Sequence, residues 1–253
     1  MSQRTVWIVV SAAALMAMIT VNGLANALPL NGLTTGAVSD GYAIRFVPAG
    51  YVFSIWGLIY LALIGFTVTQ AFSPRIESLV APLRPWFVLS CAANGAWIFA
   101  WHYLQLGLSV LLMLTLLGTL IVLYRRTRAL SQGHGWAARW TLAAPVSLYL
   151  GWICVATVAN ISALLVSVGW KGAPLSEPTW AAVMMVAASA IVLMLSRRFH
   201  DAIPALVVVW ALVGIIVKFP QERVMLWVGT LLVLALMAEA ARALRPLMGS
   251  HPG

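Results

Sequence analysis

The stretch Ile8–Val21, IVVSAAALMAMITV, holds no ionisable side chain, and only Ser11 and Thr20 interrupt its apolar run. A strand of a membrane barrel would alternate polar and apolar residues, because one face meets lipid and the other the lumen. This stretch does not alternate, so it reads as a helix, the one open-ended element that gives every backbone amide an internal partner in hydrocarbon. The apolar run extends over about residues 5–28, near the roughly 20 residues needed to cross a bilayer. Comparable runs fall at about 51–72, 84–103, 106–124, 140–168, 179–196, 202–218 and 224–244. The expected fold class is therefore all-α, a polytopic membrane helix bundle of about eight transmembrane helices.

Composition points the same way. The chain is 62% hydrophobic and 8% charged, whereas a soluble globule carries about 25% charged side chains. The lipid bilayer is thus the first partner the sequence implies.

A net charge of +9 would suit nucleic acid, so the positions of the basic residues decide its meaning. With the N-terminus inside, the cytoplasmic segments hold Arg4, Arg75, Arg84, Arg125, Arg126, Arg128, Arg139, Arg197, Arg198, Arg242 and Arg245. Arg45, Lys171, Lys218 and Arg223 fall on the opposite side. This is the positive-inside bias. It predicts both termini in the cytoplasm, fits a bacterial inner membrane, and excludes nucleic-acid binding, since no basic stripe lies outside the short loops.

Cys91 and Cys154 fall inside predicted helices, where cysteine acts as a small apolar side chain, and no disulfide framework is implied. Arg4, an apolar run and Ala25-Asn26-Ala27 have the outline of a cleavable signal peptide. Retention is the expectation, because Asn22 and Asn26 lie one turn apart and mark an interior helix face.

Between the helices, the longest loops are Pro29–Gly50 and Arg125–Arg139. The first is positioned to fold over helix ends as a lid; the second reads as a basic topology anchor. Only Tyr103, Leu104 and Gln105 separate the third and fourth helices, which must form a tight hairpin. After Val168 the helices lose their aromatic character, which divides the chain into residues 1–168 and 169–253. The second part reads as a packing or homo-oligomerisation element of three helices.

Ionisable groups within a bilayer are costly and mark ion or proton paths, and the first six predicted helices carry none near mid-depth. Glu239 and Arg242, near the end of the last helix, are spaced for a local pair. What the first five helices offer instead is aromatic and asparagine stripes at helical spacing. These are Phe53, Trp56 and Tyr60 on the second; Asn94, Trp97 and Trp101 on the third; and Tyr149, Trp152 and Asn160 on the fifth. Trp86, Trp140, Trp170 and Trp180 satisfy an interfacial belt, whereas Trp56 and Trp152 lie deeper. The stripes either wall a small-molecule pocket or pack helices together, and the residues alone leave both open. His102, His134, His200 and His251 have no partner at ligand spacing and read as solvated or interfacial. No metal site and no catalytic residues are indicated.

The run Phe46–Tyr60, FVPAGYVFSIWGLIY, adds a second line of reading. Phe46, Pro48, Gly50, Phe53, Trp56, Gly57 and Tyr60 resemble the proline-aromatic entry to the second helix of the TspO/MBR family, the tryptophan-rich sensory proteins. Asn94, Ala96, Trp97 and Phe99 resemble that family's third-helix motif, and Tyr149, Leu150, Trp152 and Asn160 its fifth-helix motif. The likeness covers roughly residues 1–168, so the chain resembles an enlarged member. In such proteins five helices enclose a pocket for porphyrins and other flat apolar ligands. The resemblance therefore implies ligand binding by Phe46, Phe53, Trp56, Tyr60, Asn94, Trp97, Tyr149, Trp152 and Asn160. It implies a planar apolar small molecule as partner, with a tetrapyrrole as one candidate ligand, and no required cofactor. A second proline is missing between Phe53 and Trp56, Pro145 stands upstream of its family position, and no cholesterol motif follows Asn160. A sensory or ligand-handling role is the leading expectation. Small-molecule transport and enzymatic modification of a bound porphyrin are the alternatives, although no acid, base or metal set supports the last.

Overall fold

The computed structural model describes residues 1–72, 77–131, 138–170 and 172–248. Arg75, Lys171, His134 and His251 lie outside the described residues. All regular structure among the described residues is helical, as the composition requires. The elements are α1 (Gln3–Ala27), α2 (Thr35–Asp40), α3 (Ile55–Phe72), α4 (Glu77–Val80), α5 (Arg84–His102), α6 (Leu106–Ser131), α7 (Ala144–Ser167), α8 (Glu177–Phe199), α9 (Ile203–Lys218) and α10 (Arg223–Met248). Short 3-10 turns precede α3 at Gly50–Ser54 and α5 at Ala81–Leu83, and a π-helical stretch, Arg139–Ala143, leads into α7.

Each of the eight apolar runs is a helix. Six helical segments, Gln3–Ala27, Gly50–Phe72, Leu106–Ser131, Arg139–Ser167, Glu177–Phe199 and Arg223–Arg245, are long and apolar enough to cross a membrane. The other two fall short of that class for different reasons. α9 has 16 residues, about 24 Å at 1.5 Å per residue, against a hydrocarbon core of about 30 Å. α5 is diluted by Arg84, Ser90, Asn94 and His102, but these side chains are buried, so protein rather than lipid meets its polarity.

The chain divides into two compact units, Met1–Val38 with Ser54–Leu150, and Ser39–Phe53 with Gly151–Gly253. In the first, α5 is the central helix, packed on α1 and α6. The expected hairpin between α5 and α6 forms: Leu104 turns with φ +57° and the Gln105 amide donates to the Ala100 carbonyl at 2.8 Å. The interior face of α1 is also as expected, since the Asn22 amide donates to Asn94 Oδ1 at 2.7 Å. Arg4 and Arg84 converge on Glu77, and Arg126 donates to the Pro82 carbonyl at 3.0 Å. Basic side chains thus gather at one end of this unit.

In the second unit α8, α9 and α10 pack on one another. Small residues let these backbones approach, which is how helices associate when the hydrophobic effect does not separate them from lipid. A Cβ at Gly151 of α7 would lie 3.0 Å from Pro204 Cα of α9, and one at Gly229 of α10 2.6 Å from Met185 Cε of α8. Ser176 precedes α8, Glu177 occupies its first turn and Arg197 and Arg198 its last, in the order that suits the helix dipole. The Glu239–Arg242 pair is present, and Arg197 Nε joins it at 3.5 Å from Glu239 Oε2. Cys91 and Cys154 are buried free thiols.

Candidate functional site

The expected site residues lie in two places, each within one unit. In the first unit, the Trp56 and Tyr60 rings of α3 stack at 5.6 Å between centroids, and Tyr149 meets Trp56 edge-on at 5.9 Å. Tyr149 is buried with its hydroxyl 4.0 Å from Met18 Sδ. On α5, Asn94 is buried and Trp97 stacks on Trp101 at 5.8 Å. Asn94 Nδ2 and Trp97 Nε1 are buried donors with no hydrogen-bond partner among the described residues. Each such donor costs about 1–3 kcal/mol in an interior, so this face of α5 holds polar capacity that the described protein groups leave unused.

His102 departs from its expected solvated or interfacial position. It is fully buried, with Nδ1 2.8 Å from the Ile98 carbonyl and Nε2 3.3 Å from Thr35 Oγ1. The cause is the first loop, which folds over the end of α5: Asn31 Nδ2 donates to the His102 carbonyl at 3.0 Å and Trp101 Nε1 to the Thr35 carbonyl at 3.2 Å. The lid expected of Pro29–Gly50 therefore exists over Asn31–Thr35, fixed by side chains that the sequence reading assigned to the α5 stripe and to the interface.

In the second unit, Phe53 meets Trp152 edge-on at 5.9 Å, and Asn160 is buried on the same helix. The second unit also holds a cavity of about 440 Å³, within the 300–1,000 Å³ range of small-molecule sites. Its walls are Ala43–Phe46, Ile161, Ser162, Leu165 and Val166 of α7, then Gly169, Trp170 and Gly172, and Glu177, Trp180, Ala181 and Met184 of α8. Phe46 is the one predicted site residue on this wall. Phe53, Trp56, Tyr60, Asn94, Trp97, Tyr149, Trp152 and Asn160 are not among its lining residues.

Two tryptophans shape the cavity. Trp170 and Trp180 meet at 4.8 Å between centroids with planes 61° apart, the edge-on geometry that aromatic quadrupoles prefer. Trp180 Nε1 donates to the Gly172 carbonyl, so its ring is held by the turn that forms the floor beside it. Gly172 is required there: its φ is +81°, and a Cβ would meet Trp180 Cδ1 at 2.5 Å. The sequence placed both tryptophans in an interfacial belt; the available signal was the glycine- and proline-rich sequence GWKGAP, residues 169–174, followed closely by Trp180.

The Ala43–Phe46 wall is anchored unequally. Phe46, Val47 and Val52 are buried, the Ala49 amide donates to the Gly214 carbonyl at 3.1 Å, and Trp210 Nε1 donates to the Val52 carbonyl at 3.0 Å. A Cβ on Gly214 would fall 2.2 Å from Val52 Cγ2, so this end of the segment rests directly on α9. The other end is held by exposed ion pairs: Arg45 Nε to Glu177 Oε2 at 3.4 Å, Arg45 Nη1 to Glu222 Oε1 at 3.7 Å, and Lys218 Nζ to Asp40 Oδ1 at 2.6 Å. Among the described residues no group of His, Cys, Asp and Glu could hold a metal.

A multi-helix chain with six apolar segments of membrane-spanning length is an integral membrane protein. A family model described as TSPO-like protein matches residues 7–241, and the chain belongs to that family. The match continues through α8, α9 and into α10, beyond the portion in which the sequence motifs lie. No curated protein and no solved structure matches the chain.

Proposed function

We propose that this TSPO-like membrane protein binds a flat, hydrophobic small molecule, with a tetrapyrrole as the leading candidate, in a sensory or ligand-handling role. The carrying observation is the cavity of about 440 Å³ lined by Phe46 and by the Trp170–Trp180 pair. Its apolar lining and its two aromatic planes suit a flat ring, which gains from edge and face contacts as well as from leaving water. We place both termini on the cytoplasmic side of a bacterial inner membrane on the positive-inside distribution of the basic residues along the sequence; the gathering of Arg4, Arg84 and Arg126 at one end of the first unit supports this for the N-terminus.

The test is saturable binding. Protoporphyrin, and the smaller methyl ester of pyrenebutyric acid, are titrated into the detergent-solubilised protein and followed by fluorescence. Trp180→Ala should weaken binding about tenfold, from roughly 1 kcal/mol of aromatic contact plus lost burial. Trp227→Ala, on a side chain 68% exposed, should not. A protein that folds and binds no flat molecule refutes the proposal, whereas uptake into sealed vesicles would convert the reading to transport.

A further inference from the structure

Resting on the reading of the cavity as a site for a flat apolar molecule, we infer that Arg45 is its polar anchor and that the ligand carries a carboxylate at the edge of its ring system. Among the described residues, Arg45 and Glu177 are the charged ones on the cavity wall. Of the neutral polar groups there, Ser162 Oγ already donates to the Val158 carbonyl at 2.8 Å and Trp180 Nε1 to that of Gly172.

Arg45 is a cation with donors to spare. Its two ion pairs are single-point and long, 3.4 Å and 3.7 Å, with side chains 35% exposed on Arg45, 52% on Glu177 and 23% on Glu222. Open pairs of this kind contribute little to stability. A ligand carboxylate can take the guanidinium fork at two points, a stronger arrangement than either existing pair. The Phe219 ring, 5.2 Å from Arg45 Cζ, holds the guanidinium in place during such an exchange.

The two displaced carboxylates have other support. Glu177 sits in the first turn of α8 behind Ser176. Glu222 immediately precedes α10, and its carbonyl accepts the Leu226 amide at 2.9 Å. Each therefore faces the positive end of a helix dipole, which stabilises it without Arg45. The same dipole, together with Arg45, opposes an amine approaching Glu177. An anion is consequently the charge this rim can accept by exchange, and Arg45 is the residue that accepts it.

The experiment uses the full chain in neutral detergent micelles at pH 7, with pyrenebutyric acid and its methyl ester as probes that share one flat body and differ in charge. The parent protein should bind the acid about tenfold more tightly than the ester. Arg45→Gln should remove that advantage while still binding the ester, and Arg45→Lys should keep part of it. If Arg45→Gln binds neither probe, the lysine variant decides: an acid preference retained there supports the anchor, and its loss overturns it. Equal binding of acid and ester by the parent overturns the inference while leaving the cavity as a flat-molecule site. Absence of binding by both probes overturns the cavity reading as well. Phosphatidylglycerol added to the micelles should displace the acid no more than phosphatidylcholine does. Selective displacement by the anionic lipid would assign Arg45 to headgroups and overturn the ligand carboxylate.

Discussion

Replacing Gly172 by alanine tests whether the Trp180 wall is built by the turn beneath it. The added Cβ would stand 2.5 Å from Trp180 Cδ1, 3.0 Å from Nε1 and 3.3 Å from the Leu175 carbonyl oxygen, on a residue with φ +81°. The left-handed backbone alone costs a non-glycine residue about 1–2 kcal/mol. An indole ring has no flexible end to swing aside, so it must move as a whole. That movement breaks its hydrogen bond to the Gly172 carbonyl and its edge contact with Trp170, each of order 1 kcal/mol. The expected outcome is a loss of about 3 kcal/mol in stability and an approximately tenfold weaker flat ligand, from one misplaced aromatic wall. Thermal unfolding and fluorescence titration in the same micelles measure the two effects separately. Gly107→Ala in α6, where a Cβ meets nothing within 4 Å, serves as the control and should match the parent or exceed it slightly. A Gly172→Ala protein that melts and binds as the parent does would refute the argument that this glycine positions Trp180.

Other outcomes follow from the network at the end of the first unit and from the packing of the second. Glu77→Gln should destabilise by about 3–5 kcal/mol, because Arg84, 1% exposed, loses the carboxylate that it holds at 2.6 Å and 2.8 Å; adding Arg84→Met should recover most of the loss in a denaturation series. Hydrogen bonds from Arg84 hold the Glu77 carboxyl below its ordinary value of 4.5, more than burial raises it, with Arg4 assisting. Its stabilisation is therefore complete above that ordinary value and lost as pH falls through the lower folded one, and the parent should lose melting temperature on acidification more steeply than the double variant. Gly214→Leu should push Pro48 and Val52 off α9, given a Cβ contact of 2.2 Å to Val52, and weaken ligand binding through the displaced Phe46 wall; unchanged affinity would count against that wall. Single cysteines at Gly36 and Ser131 should label from opposite sides of sealed vesicles, because α6 separates the His102 end from Ser131 by 26 residues, about 39 Å.

Local chemistry in the chain determined the helices. An apolar run in lipid has one way to satisfy its amides, so the eight helices, the hairpin at Tyr103–Gln105 and the buried thiols were legible residue by residue. The motifs around Trp56, Asn94 and Trp152 likewise pointed to the family, whose match extends over residues 7–241. Burial was less legible: His102 read as interfacial because its covering loop lies some 70 positions away in sequence, as with Asn31 at a separation of 71. The cavity was hidden for the same reason. Its wall joins Arg45 and Phe46 to α7, to Trp170 and to Trp180, and periodicity within one helix carries no information on which distant segments face each other. Tertiary packing alone decided that two tryptophans with interfacial spacing turn toward each other, with a glycine beneath them.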